Sequence, residues 1–434
     1  MDAMTISIIG IVAFIALLAL GMHIGIALAL VGFFGMVVLR GTGAAMGILM
    51  STPYQTASSF SMAVIPLFIL MGQLAYYSGI SGDLYTTCYK WLGRFRGGLG
   101  FSTIGACALF SAICGSATAT TATMGTVCLP EMTKYNYKKS FSTGMISAGG
   151  TMGILIPPST GFIVYGTISG VSIGDLFASG IVPGVMLMLI FWITIGIVTR
   201  RDPEAGPAGE KFSLIERIRS LKGVLGFVIL FIIVLGGIFG GVISPSEGGG
   251  IGAIGSFIIL VLRRRASMSN IVAALRDTIK TTAMIFMIMI GAYVFGYFLT
   301  QTQMPRKLAE FAGSMDVPAL VILVAVLIIY IVLGCFVDSL PLVIILTPIF
   351  WPVVTQMGWS GLWFGVLMIL CMQIGLVTPP VGMTCYVMAG VAKDVPLQSI
   401  FKGAFPFLLA LVVALALVVA FPAIATWLPG ALKG

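Results

Sequence analysis

The sequence predicts an all-α polytopic membrane protein, built as an inverted repeat with two re-entrant helical hairpins and two broken helices. Three observations carry that prediction. First, the 434 residues are 59% hydrophobic and 9% charged, with a mean hydropathy of +1.12. A soluble domain carries about 25% charged residues. The apolar runs have the length of a bilayer-spanning helix, about 17–25 residues, and lack the ~10-residue alternation of a membrane β-barrel. Second, one short motif occurs twice, as GILIPP at 153–158 and GLVTPP at 375–380. Third, the basic residues lie in short loops between apolar runs, as the positive-inside rule requires. That placement also accounts for the formal charge of +9 without invoking a nucleic-acid partner.

The N-terminus, MDAMTISIIG, lacks a basic region, so the first apolar run is expected to be retained as a span. Three basic clusters then organise the first half (1–199): Lys90, Arg94 and Arg96; Lys134, Lys138 and Lys139; Arg200 and Arg201. If all three are cytoplasmic, the segment at about 98–131 makes no net crossing. It is long enough for two arms, with Gly115 and Ser116 midway, and reads as a hairpin entering from the cytoplasm. One long tilted span is the alternative. From Ser140 a helix runs outward, breaks at Pro157 and Pro158, and resumes to about 170; VSIGDLFASG lies outside, and 181–199 return inward.

Residues 200–222 are the only long polar stretch and read as a cytoplasmic linker. The second half (223–434) starts with spans at about 223–243 and 248–262 that lead to Arg263, Arg264 and Arg265 on the same side. A span at 281–299 leads outside. The first half's pattern then recurs with opposite orientation: a hairpin at about 317–357 around GCFVDS, a broken helix at about 361–391 through Pro379 and Pro380, and a last span at 405–428.

Proline lacks an N–H and clashes with the preceding turn, so each Pro-Pro pair interrupts a helix and frees carbonyl groups. Lipid cannot satisfy those groups; protein, water or an ion can. Paired broken helices in two halves point to a transporter's binding site. The first constellation joins ICGSATATTATMG (113–125) to GTMGILIPPST (150–160). Ser116, Thr118, Thr120 and Thr121 offer hydroxyl oxygens, and the break frees carbonyls around Gly153 to Ile156. Neutral oxygens at a helix break suit Na⁺, and half-helix N-termini suit an anion. Helix packing by small residues is the plainer alternative. The second constellation joins GCFVDS (334–339) to GLVTPPVG (375–382). A carboxylate within apolar sequence costs at least about 2.5–3.5 kcal/mol at a helix centre, so Asp338 is a candidate Na⁺ ligand or proton carrier. It also fits a cap for the arm starting at Ser339. Thr378 and the carbonyls near Leu376 and Val377 would complete a second cation site.

Few titratable groups lie inside apolar sequence, which favours Na⁺ over H⁺ as the coupling ion. His23 flanks a span, and Glu247, in SPSEGGG, suits a turn followed by a helix start. The seven cysteines show no CxxC spacing, so neither a zinc site nor a disulfide framework is indicated. No phosphate loop, nucleophile elbow or HExxH occurs, so the chain is expected not to be an enzyme.

At these residues the chain resembles the large membrane subunit (DctM-like) of a tripartite ATP-independent periplasmic (TRAP) transporter. The likeness runs through IPLFILMG (65–72), RGGLG (96–100), CGSATAT (114–120), LPEM (129–132), GTMGILIPPS (150–159), GDLFASGIVPG (174–184), SPSEGGG (244–250), FVDSLPLVIILTPI (336–349) and IGLVTPPVG (374–382). The resemblance implies an elevator mechanism, with a transport domain of hairpins and broken helices sliding against a scaffold. It implies import of organic acid anions, driven by Na⁺, across the bacterial inner membrane. It also implies two partners: a small four-helix membrane subunit and a soluble periplasmic substrate-binding protein. By resemblance, Gly153, Ile156 and Pro158 with Cys114 and Ser116 match one Na⁺ site; Asp338 and Gly334 with the Thr378–Pro380 break match another. Ser116, Thr118, Thr120, Ser159 and Ser172 would lie near the substrate. Many members read SGSxxAD at the first tip, where this chain has Cys114 and Thr120 in the Ser and Asp positions. A stand-alone Na⁺- or H⁺-coupled dicarboxylate carrier is the nearest alternative; a channel would also use broken helices but fits inverted halves less well.

Overall fold

A computed structural model describes residues 2–314 and 316–433. Among these residues all regular structure is helical. In order the helices are α1 (Ala3–Ala19), α2 (Ile24–Arg40), α3 (Thr42–Ser58), α4 (Val64–Tyr77), α5 (Ile80–Leu92), α6 (Gly98–Cys114), α7 (Ala117–Lys134), α8 (Lys139–Gly150), α9 (Thr160–Ser169) and α10 (Ile173–Arg201). Then come α11 (Leu214–Phe239), α12 (Pro245–Leu262), α13 (Met268–Gln301), α14 (Met304–Ser314), α15 (Ala319–Gly334), α16 (Ser339–Gln356), α17 (Gly361–Val377), α18 (Met383–Val391), α19 (Leu397–Ala420) and α20 (Ala423–Lys433). Among the described residues seven stretches are long and apolar enough to cross a membrane: Phe60–Tyr77, which includes α4, and α10, α11, α12, α13, α16 and α19.

The order hairpin, broken helix, long helix occurs twice: α6/α7, α8–α9, α10, and α15/α16, α17–α18, α19. Matching elements have similar lengths, 17 and 16 residues for the first arms and 18 each for the second. The two hairpins point toward each other from opposite ends. Lys139, at the base of the first hairpin, pairs with Asp394, just beyond α18. At the other end, Tyr165 Oη of α9 donates to the Gly361 carbonyl, at the base of the second hairpin, at 2.9 Å.

Two packed groups result. Helix α13 lies along α2 and α4, and α4 along α12. In the other group α8 lies on α19, α9 on α16, α17 on α15 and α19, and α18 on α7 and α8. Helix α5 packs on both α6 and α11 and so joins the groups. Small residues permit the tightest contacts: a Cβ at Gly144 would lie 2.1 Å from the Gly403 carbonyl carbon, so α8 and α19 touch backbone to backbone.

Helix ends follow local chemistry and correct several sequence expectations. The polar segment read as a linker over 200–222 is shorter as coil, since α10 continues to Arg201 and α11 starts at Leu214. Ser213 and Glu216 form a reciprocal capping box there, which starts the helix earlier than hydropathy suggests. Helix α10 begins at Ile173, not near 181, because Ser172 caps it through the Asp175 N–H. Helix α13 spans 34 residues where a span at 281–299 was expected, since its polar first turns are helical too. The last span runs Leu397–Ala420, not 405–428, and ends before Pro422. Arg40 closes α2 and donates from Nε to Gln301 Oε1 at the end of α13. Glu247 accepts from the Ser244 N–H at 2.7 Å in a second capping box, the structural role expected of it. The outer bounds 1 and 434 of the expected halves lie outside the described residues.

Candidate functional site

The hairpin tips and the two long helices facing them enclose one cavity of about 360 Å³. Each wall follows from helix periodicity. Ile69, Gly72, Gln73 and Tyr76 of α4 are spaced i, i+3, i+4, i+7 and form one stripe; Thr281, Met284 and Ile285 of α13 repeat that spacing. Gly72 brings the wall close, for a Cβ there would lie 2.8 Å from the Ile113 carbonyl oxygen of α6. The opposite wall comes from the tips: Cys114, Ser116 and Thr118 from the first and Asp338 and Leu340 from the second, with Thr160 from α9.

The first tip turns at Gly115, whose φ of 61° is a left-handed conformation that a side chain rarely adopts. Ser116 then caps α7, accepting from the Ala119 N–H, and its Oγ lies 3.2 Å from Thr118 Oγ1. The first break folds directly against this tip. Residues 151–154 form a 3₁₀ turn, and the chain resumes as α9 with Ser159 as cap. Thr160 Oγ1 donates to the Gly115 carbonyl at 2.6 Å. A Cβ at Gly153 would lie 2.5 Å from the Ser116 carbonyl oxygen and 2.8 Å from Thr120 Oγ1. Ser159 Oγ donates to the Ile154 carbonyl, one of the groups freed by the break.

The second tip is capped by Asp338. Its Oδ1 accepts from the Ser339 N–H at 2.7 Å and lies 3.2 Å from the Ser339 hydroxyl. The cap expected as an alternative role is therefore present. It does not use the whole carboxylate: among the described residues Oδ2 has no hydrogen-bond partner, and Asp338 has no basic partner. The second break lies behind this tip. A Cβ at Gly375 would lie 2.5 Å from the Gly334 carbonyl carbon, and the Gly382 N–H donates to the Cys335 carbonyl. Thr384 Oγ1 donates to the Leu376 carbonyl at 2.8 Å, and Thr378 Oγ1 to the Ile374 carbonyl at 2.6 Å. Both Pro157–Pro158 and Pro379–Pro380 are cis.

The structure therefore brings Cys114, Ser116, Thr118 and Asp338 onto one cavity. Gly153, Thr120 and Ser159 are buried just behind the first tip. Pro158 is buried with its carbonyl 3.1 Å from the Cβ position of Gly115, and Ile156 is half-buried against Gly184. Gly334 is buried, Thr378 half-buried and Pro380 exposed, none of them on the cavity wall. Ser172 is exposed, caps α10, and does not join the cavity. Thr160, the last residue of the first break motif, lines it too, and so do Gln73, Tyr76 and Thr281, which are absent from the sequence-based candidates. A glutamine within the apolar run IPLFILMGQLAYY, one helical turn from a tyrosine, was the available signal.

Two observations fit a hard cation. Among the described residues Thr120 Oγ1 is fully buried with no nitrogen or oxygen hydrogen-bond partner, beside the tip carbonyl of Ser116 and near the Cys114 thiol. A buried polar atom without a partner is costly, so it calls for a further ligand. At the second tip a carboxylate oxygen is likewise without a protein partner. Three helix N-termini, those of α7, α9 and α16, end at the cavity through Ser116, Thr160 and Asp338, and their partial positive charge favours an anion in the space they share.

A family model described as "Tripartite ATP-independent periplasmic transporter, DctM component" matches residues 11–424. A C4-dicarboxylate TRAP transporter large permease protein of Pseudomonas aeruginosa is 33% identical over 377 residues, 87% of this chain and 88% of the relative. A sialic acid TRAP transporter large permease protein of Vibrio cholerae is 31% identical over 417 residues, 96% of each chain. In three dimensions the chain superposes on the YdaH transporter of Alcanivorax borkumensis with a TM-score of 0.65 and 16% identity, covering 91% of this chain and 90% of that one.

Proposed function

The chain belongs to the DctM component family of tripartite ATP-independent periplasmic transporters, and from that membership we propose a Na⁺-coupled permease that imports an organic acid anion delivered by a soluble periplasmic binding protein. It is a multi-pass protein of the bacterial inner membrane. The observation that carries the transport reading is the single cavity shared by both tips and closed by α4 and α13. Substrate and coupling ions that meet at one place between two packed groups can be moved together, which is what a symporter requires.

In this reading α6–α10 and α15–α20 form the moving body, and α1–α4 with α11–α13 the fixed scaffold against which it slides as an elevator. Helix α5, packed on both, is the hinge arm. The chain divides into two halves joined by the linker, and a small four-helix membrane subunit covers part of the scaffold's apolar surface. The first Na⁺ is held by Thr120 Oγ1, the Ser116 hydroxyl and carbonyls of the first break near Gly153 and Ile156. The second is held by Asp338, with Thr378 and the carbonyls around Gly334. These are oxygen donors, which hard cations prefer. The substrate carboxylate faces the helix N-termini at the tips.

The test needs no substrate. A ligand that binds only the folded state stabilises it by RT ln(1 + [L]/Kd). The melting temperature of the purified chain, with its small partner if it co-purifies, should rise saturably with NaCl and not with KCl or choline chloride. Equal curves in all three salts would overturn Na⁺ coupling.

A further inference from the structure

The cavity's fixed wall carries polar groups with nothing in the protein to bind. The Gln73 side chain is half-buried, faces the cavity, and makes no hydrogen bond among the described residues. Thr281 is half-buried and likewise unbonded, whereas Thr278, three residues earlier on the same helix, returns its hydroxyl to the Ala274 carbonyl at 2.7 Å. Tyr76 completes this polar edge one turn beyond Gln73. An amide offers two donors and one acceptor, and a hydroxyl offers both roles, so this wall suits a partner that also donates and accepts. Substrate hydroxyls do both; carboxylates only accept.

The charge inventory sharpens the point. No Lys, Arg or His lines the cavity among the described residues, and its only ionisable carboxylate is Asp338. One substrate carboxylate can be placed at the N-termini of α7 and α9. A second would meet no cationic side chain and would share the cavity with the Asp338 carboxylate, leaving only the α16 N-terminus and the bound Na⁺ to offset its desolvation, which costs several kcal/mol per ion in order of magnitude. The volume, about 360 Å³, lies near the lower end of the ~300–1,000 Å³ typical of small-ligand pockets.

We propose that Gln73, supported by Thr281, reads the substrate from the scaffold side, and that the substrate is a monocarboxylic acid bearing several hydroxyl groups. This deepens the transport reading above and rests on it. A site built to pair hydroxyls discriminates strongly against analogues that lack them, because its own polar groups are then left unpaired. The wall thus selects on hydroxyl pattern after the binding protein has made its first choice.

The test uses the purified chain, with its small partner if it co-purifies, in saturating NaCl. The probes are gluconate and glucuronate as hydroxylated monoacids, hexanoate as a monoacid without hydroxyls, and succinate as a diacid. Binding is read as a rise in melting temperature and as slower N-ethylmaleimide labelling of Cys114, which lines the cavity and is half-buried where the other six cysteines are buried. At least one hydroxylated acid should raise the melting temperature and protect Cys114, while hexanoate and succinate do neither. Gln73→Leu should weaken that binding at least about tenfold, Gln73→Glu should abolish it, and both should keep the Na⁺-dependent stabilisation. Thr281→Val should weaken it less. Protection by succinate equal to or better than that of the hydroxylated acids overturns the proposal. So does absence of protection by both hydroxylated acids, or unchanged affinity in Gln73→Leu and Gln73→Glu. Protection by a hydroxylated acid that is equal in NaCl and KCl would sink Na⁺ coupling and leave the assignment of the wall standing.

Discussion

The two tip-and-break units share a topology and differ in how they are enclosed. In the first, Gly153, Pro157, Pro158, Ser159 and Thr160 are all buried, and 14 of the 17 residues of α6 are buried as well. In the second, Pro379 and Pro380 are exposed, Phe336 at the tip is 56% exposed, and only 6 of the 16 residues of α15 are buried. The first unit is buried except where its tip meets the cavity, and it brings no charged side chain there; the second faces lipid, water or a partner on its outer side and carries the cavity's carboxylate. The physical lesson is about charge. A sealed unit can hold a cation with neutral oxygens alone, since an ionised side chain there would be stranded whenever the ion left. Asp338 is half-buried and lies on the cavity, so water there can hydrate the carboxylate between ions at lower cost.

The largest expected effect breaks the second unit. Asp338→Asn preserves a good N-cap for α16 while removing the charge, so a pure capping role predicts near-normal behaviour. The proposed ion role predicts at least about a tenfold loss of Na⁺ affinity, or about 1.4 kcal/mol, measured as the NaCl midpoint of thermal stabilisation. The glycine pairs come next. Gly153→Ala places a Cβ 2.5 Å from a backbone oxygen of the first tip. It should cost ~1–3 kcal/mol of stability and disturb Na⁺ binding, because backbone cannot step aside as a flexible side chain can. Gly375→Ala, the matching position of the second break, places its Cβ 2.5 Å from the Gly334 carbonyl carbon and should cost as much, whereas Gly334→Ala meets nothing nearer than 3.5 Å and should fold normally; equal damage at Gly334 and Gly375 would show that this backbone approach does not set the cost.

Thr120→Val sharpens the comparison through a change of sign. Without an ion, deleting an unpartnered buried hydroxyl should leave stability unchanged or raise it, by about 1 kcal/mol in the apo protein. With Na⁺ present the same variant should lose stabilisation relative to wild type. A loss in both conditions would mean that the hydroxyl serves packing rather than an ion. The smallest effect concerns the surface. Asp394, outside the spans, is held below the ordinary carboxylate range by its bond to Lys139. A carboxylate with a depressed folded-state pKa contributes its stability above its unfolded value and loses it as pH falls through the folded value. Lys139→Ala should therefore flatten slightly the acid limb of the stability profile and leave transport near neutrality intact, since both side chains are more than half exposed.

Much of this architecture was legible in the chain because prolines and membrane backbone allow few solutions. The hairpins at about 98–131 and 317–357 and the breaks at 140–170 and 361–391 match the observed helices to within a few residues. What hydropathy misjudged were helix ends in polar sequence. Ser172 with Asp175, and Ser213 with Glu216, are capping signals that a search for apolar runs passes over. Helix α13 carries Arg276, Asp277 and Lys280 in its early turns, and their polarity concealed its true start. At the cavity, motifs located the wall contributed by the tips. They did not locate Gln73 or Thr281, because isolated polar residues in long helices become meaningful only once the facing wall is known. Ser172 shows the reverse case, a suggestive residue whose hydroxyl is occupied with ending a loop.

The coil between α10 and α11 looks like a natural place to cut the chain or insert a tag, being polar and exposed in part. Its backbone says otherwise. The Gly206 carbonyl accepts from the Gly97 N–H at 2.9 Å, the Gly209 N–H donates to the Gly93 carbonyl at 2.9 Å, and Tyr137 Oη donates to the Pro207 carbonyl at 2.8 Å. Tyr137 also accepts from the Leu99 N–H. The segment is thus stitched across both feet of the first hairpin. Anyone splitting this protein into co-expressed halves at 203–210 would unpick that seam, and the fragment ending there would lose the tie that keeps α6 and α7 from splaying at their feet.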